Sequence, residues 1–232
     1  MNQRNRFPAR RRFLKQSAAL SASASLAAPA AVLAQVGPGQ QTGLQTGLQI
    51  GLLHDVGGAL GDATLGRNGR AAALLALRAA SRSGAAIEPV LGDGVRQAAA
   101  MQARGIGVLV LQAPAAVCAQ ALEQLPPAAS AWVLTPAALA AAPADDTLHG
   151  LAGRTAPEQR PAVLSSYAAV RVAALALRHA QERPLAGVLP EALPGLPPEA
   201  LPGLLPVHGA QRLTPAELAA RRGLQTLIVV AA

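Results

Sequence analysis

His54-Asp55, Asp145-Asp146, Ser165-Ser166 and Cys118 are the residues whose types could supply chemistry. An imidazole beside a carboxylate can act as a base or contact a ligand. His54-Asp55 closes the apolar run "LQIGLLH", so it is predicted to stand at a strand end and touch a ligand. A solvated loop histidine is the plainer alternative. Asp145-Asp146 follows "AAAPA" and reads as a solvated turn rather than a working carboxylate pair. Ser165-Ser166 with His179 could be drawn as a nucleophile and its base. The G-x-S-x-G turn that exposes such a serine is absent, which argues against hydrolysis. Cys118 sits in an apolar run and is predicted to be a buried, inert thiol. None of His54, His149, His179 and His208 has metal-ligand spacing to another His or Cys, so no metal site and no cofactor are predicted. "GGALG" (57–61) lacks the G-x-G-x-x-G spacing of a dinucleotide cradle and reads as a connecting loop.

The first 34 residues carry a different signal. Arg4, Arg6, Arg10, Arg11, Arg12 and Lys15 precede a weakly apolar run rich in alanine and serine, with no acidic residue among them. A basic head, a short apolar middle and a small-residue cleavage site make an export signal. Val32-Leu33-Ala34 supplies the cleavage site, with the cut between Ala34 and Gln35. Arg10-Arg11-Arg12-Phe13-Leu14-Lys15 resembles the twin-arginine signal R-R-x-F-L-K. That resemblance implies export of a folded protein to the periplasm by the twin-arginine translocase. An uncleaved signal would leave the protein tethered to the membrane.

Removing the signal changes the charge argument. The chain is +8, but residues 1–34 hold six of its twenty basic residues, which leaves about +2. The remaining aromatics are Trp132 and Tyr167, so there is neither a basic patch nor a row of stacking platforms for nucleic acid. Lys15 is the only lysine, so the mature chain has none for a P-loop or a Schiff base.

From Leu48 onward, apolar runs alternate with alanine-rich helical patterns. Strands are predicted at "LQIGLLH", "AIEPVLGD", "IGVLVLQA" and "SAWVLTP", with helices over 67–84, 94–105 and 114–125 between them. That alternation predicts an α/β fold with a parallel sheet flanked by helices. Ligands of such sheets bind at the carboxyl ends of the strands. The turns after His54, Gly92, Gln112 and Thr135 are therefore the places to look. Residues 35–47 read as a low-complexity tether, and 184–206 as a Pro-rich, extended spacer. "SSYAAVRVAALALRHAQER" (165–183) reads as one helix, or as a helix followed by the strand "VRVAALAL".

"LQIGLLHDVGGALGDATLGRNGRAAALLAL", with its Asn68-Gly69 pair, resembles the opening of the type I periplasmic solute-binding proteins of the branched-chain amino acid kind. "WVLTPAAL", "GRTAPEQR" (153–160) and "LPVHGAQRLTPAELAARRGLQTLIVVAA" resemble later landmarks in the same order. The resemblance spans about 48–160 and, more loosely, 205–232. It implies a solute-binding lobe over 48–160 and a partial second lobe over 161–232. It also implies a non-catalytic receptor that passes a small polar solute, such as an amino acid, to the membrane subunits of an ABC importer. His54, Gln112 and Thr135 are the ligand-binding residues it implies. Two further expectations follow from the short second lobe: a degenerate receptor lobe serving as a protein-interaction module, or a truncated fragment.

Overall fold

The computed structural model describes residues 48–59, 62–82, 86–141, 145–182 and 200–231. The signal (1–34), the tether (35–47) and most of the Pro-rich spacer lie outside the described residues. The fold is α/β, with a six-stranded sheet between two layers of helices. Its strands are β1 (Leu48–His54), β2 (Ile87–Asp93), β3 (Val108–Pro114), β4 (Ser130–Leu134), β5 (Ala210–Leu213) and β6 (Leu224–Val230). Their spatial order is β2-β1-β3-β6-β4-β5. β1 pairs in parallel with β2 and β3, as the alternating pattern predicts. The expectation of a wholly parallel sheet is corrected at β6, which runs antiparallel to both β3 and β4. β5 is antiparallel to β4. The sheet is therefore mixed.

Residues 161–232 do not stand apart as a second lobe: they give two strands to this same sheet and a long helix to one of its faces. That helix, α6 (Arg160–Glu182), is continuous, so "VRVAALAL" is helical and not a strand. Its alanines favour helix by propensity. The spacer reading also needs correction at its end. α7 (Ala200–Leu204) is a short helix, and Leu201 and Leu205 are buried in the core.

Side-chain alternation along the strands builds two cores. One face carries Ile50, Leu52, Val110, Trp132 and Ile228 beneath α6, α7, α1 (Ala63–Ser81) and α5 (Asp146–Arg154). The other carries Leu53, Leu109, Leu111, Leu227 and Val229 beneath α2 (Ala98–Ala103), α3 (Ala115–Glu123) and α8 (Pro215–Ala219). Cys118 of α3 is wholly buried there. A short helix, α4 (Pro136–Ala141), follows β4. α1 and α6 meet largely through alanine, with Ala72, Ala73, Ala76, Ala173 and Ala176 all buried. Small side chains bring these two helices close together and close to the sheet.

Local caps match the sequence. Thr214 and Glu217 form a reciprocal capping box on α8, with Pro215 in its first turn. Asp62 caps α1, accepting from the backbone N–H groups of Thr64 at 2.9 Å and Leu65 at 3.0 Å. Asp62→Ala should cost about 1 kcal/mol. Chemical denaturation should show this as a lower midpoint with an unchanged slope. Among the described residues, no helix is long and apolar enough to cross a membrane.

Candidate functional site

Strand register assembles a polar row at the carboxyl end of β1 and β3. Asp93 of β2 stands opposite His54, His54 opposite Gln112, and Gln112 opposite Thr226 of β6. Directly paired residues share a sheet face. Each residue of the row continues the apolar series of its own strand toward α1 and α6.

The helices answer the row with polar groups of their own. His54 is wholly buried, and its Nε2 lies 2.8 Å from Ser166 Oγ. Ser166 donates its hydroxyl proton to the Gly69 carbonyl at 2.9 Å. A hydroxyl has one proton to give, so His54 must donate from Nε2, leaving Nδ1 as an acceptor. That Nδ1 has no partner. Gln112 donates from Nε2 to the Ala162 carbonyl at 2.8 Å and to Thr226 Oγ1 at 3.1 Å. Ser165 donates to the same Ala162 carbonyl and lies 2.8 Å from Thr226 Oγ1. Gln112 Oε1 is left unpaired beneath α1. A Cβ at Gly69 would sit 2.1 Å from that oxygen, so only glycine lets α1 come this near.

Arg70 and Asp93 flank the row. Arg70 Nη2 donates to the carbonyls of Gly92 and His54, tying the ends of two strands to α1. Asp93 Oδ1 accepts from the backbone N–H groups of Val56 at 2.8 Å and Gly57 at 3.1 Å. Burial, and secondarily the Arg70 charge, hold the His54 imidazole down to about 3, so it is neutral at any ordinary pH. Burial pushes the Cys118 thiol up to about 12, and its Sγ faces the Ala113 carbonyl. That thiol stays protonated and unreactive.

The three predicted ligand residues do not share one concave site. His54 lines neither the cleft beside Gln112 nor the groove beside Thr135. Gln112 forms part of a cleft of about 280 Å³ with Asp55, Asp62, Leu65, Gly66 and Leu224. Thr135 lines a larger groove of about 550 Å³. Thr135 also receives the Ala138 N–H at its hydroxyl and donates its own N–H to the Gly209 carbonyl, which fixes the start of α4.

The wider groove contains Ser165 and polar residues that sequence reasoning passed over: Thr226, Gln211, Gln225, Glu158 and Arg221. Thr226 is the one hydroxyl in the apolar run "TLIVV", and that interruption was the available signal. Ser165 and Ser166 are committed to Thr226, Ala162, His54 and Gly69, while His179 lies against His208. A Ser–His179 pair is not formed. Asp145 caps α5 through the Leu148 N–H at 2.7 Å, which accounts for that carboxylate structurally. Among the described residues, no group of three or more His, Cys, Asp or Glu is placed to hold a metal ion.

Comparison with family models, with curated proteins and with solved structures finds no match to this chain.

Proposed function

We propose that the chain is an exported, non-catalytic solute-binding protein, the periplasmic receptor of an ABC-type importer, taking a small polar solute. The observation that carries this reading is the groove of about 550 Å³ beside Thr135, at the carboxyl end of β4 and the start of α6. Its wall offers the hydroxyls of Thr135, Ser165 and Thr226, the amides of Gln211 and Gln225, a carboxylate on Glu158 and a guanidinium on Arg221. Such a mixture suits a small solute bearing charge and hydrogen-bonding groups. The partners in this reading are the solute, the importer's membrane subunits and, during export, the twin-arginine translocase.

A second reading draws on the row beneath. His54 spends its Nε2 donor on Ser166 and Gln112 its amide on the Ala162 carbonyl, both of α6, so these donors serve packing. A lobe whose polar row serves its own packing would suit a periplasmic interaction module.

Thermal unfolding separates the two. The full chain is melted alone and with a panel of amino acids, short carboxylates, amides and polyols. A ligand at 100 times its Kd adds ~2.7 kcal/mol, or roughly 5–11 °C in Tm. The receptor reading expects one class to produce that shift, and Arg221→Ala or Thr135→Val to diminish it. A cooperative transition that no member moves would favour the interaction module.

A further inference from the structure

His179 and His208, far apart in sequence, come together where α6 ends and a 3-10 turn (Pro206–His208) leads into β5. Their ring centroids are 5.4 Å apart and their planes are tilted by 32°. Both side chains are half-buried, so each keeps a route to solvent. Spacing along the chain concealed this pair, because only the fold brings the two imidazoles together.

The geometry points to a transition-metal site, with His179 and His208 as its two protein ligands. An imidazole nitrogen binds zinc at ~2.0–2.1 Å, which places the metal roughly 3.2 Å from the ring centre. With one nitrogen of each ring turned to the ion, two centroids 5.4 Å apart would subtend an angle of ~115° at the metal, near the tetrahedral value. Imidazole suits the late first-row divalent ions, zinc, copper and nickel, above the hard cations. His179 lies in the last turn of α6, where unpaired carbonyls give the helix end a partial negative charge that favours a cation. The neighbouring Arg178 is turned away, donating to the Ala80 carbonyl of α1. Among the described residues no third His, Cys, Asp or Glu joins the pair, and water or an exogenous ligand can complete the coordination. A bound ion would clip the end of α6 to the turn that starts β5.

Calorimetric titration of the untagged full chain with Zn²⁺ at pH 7.5 tests the site. One ion per chain is expected, with affinity lowered at least tenfold in both His179→Ala and His208→Ala. His149→Ala, at an exposed histidine of α5, should bind as the parent does. Cu²⁺ spin resonance should show coupling to two nitrogens in the parent and to one in each single variant. His179→Gln and His208→Asn repeat the test with less change of volume, and circular dichroism shows that each variant is folded. Absence of Zn²⁺ binding at millimolar concentration, or undiminished binding in a folded variant of either histidine, would overturn the assignment.

Discussion

Gly66→Ala is expected to lower the unfolding free energy by about 3 kcal/mol or more, the upper range for overpacking a tight contact. A Cβ at Gly66 would stand 2.0 Å from the Asp55 carbonyl oxygen and 2.4 Å from its carbon. Both atoms are backbone, so no side chain can swing aside, and α1 must lift from the end of β1. That lift would loosen Gly69 over Gln112, the Arg70 bonds to two strand ends and the Ser166 bond to the Gly69 carbonyl. Gly69→Ala should be milder, because its obstacle is the Gln112 side-chain oxygen, which can move. Gly153→Ala in α5 is the contrast, since its Cβ would meet nothing within 4 Å. That change should stabilise by up to ~1 kcal/mol through helix propensity. Urea unfolding of the three variants should rank them in this order. A Gly66→Ala protein as stable as the parent would mean that α1 does not lie this close to β1.

Acid should weaken the fold through His54. Its folded-state value is depressed to about 3, against 6.5 for a free imidazole. The unfolded chain therefore binds the extra proton between these values, and stability falls as pH drops below 6.5. Above that point His54 is neutral in both states and contributes no slope. Between pH 6.5 and 4.5 the loss should approach ~1.4 kcal/mol per pH unit, about 2–3 kcal/mol in all. The physical cause is the sealed pocket. A protonated ring would carry its charge beside Arg70, with an Nδ1–H that finds no acceptor. His54→Gln keeps a neutral donor toward Ser166 but cannot take up this proton. The measurement is urea unfolding of parent and variant at several pH values, with the difference in slope attributed to His54. Parallel curves would place His54 in contact with water and remove it from the core network.

Much of the α/β framework was legible before any coordinate. The first four strands and the three helices between them follow from apolar runs alternating with alanine-rich segments, bounded by glycine and proline. Direction was not legible. "TLIVV" is buried on both faces, and such a run reads the same whether its neighbours are parallel or antiparallel. Nothing local places β6 between β3 and β4 in preference to an outer edge. Which strand-end residues face open space was hidden for a related reason. His54 and Gln112 do stand at strand ends, where ligands of open sheets bind. Whether such an end is open or roofed depends on the helices above it. Here the roof is α1, admitted by Gly66 and Gly69, and α6, carrying Ser165 and Ser166. Thr135 escaped that roof and lines the groove. The glycines three residues apart and the paired serines were visible in the sequence, but their meaning required the register of four strands.

The place of β6 governs the order in which this chain can fold. β1 to β4 are synthesised well before the strand that joins them, yet without β6 the β2-β1-β3 group and the β4-β5 pair share no backbone ladder. Until then β3 and β4 each present an unpaired apolar edge, a known invitation to association with other chains. Joining them requires closing loops of some hundred residues, so late, long-range closure should dominate the folding time. A nascent protein of this topology gains from being held back from its neighbours until synthesis reaches β6.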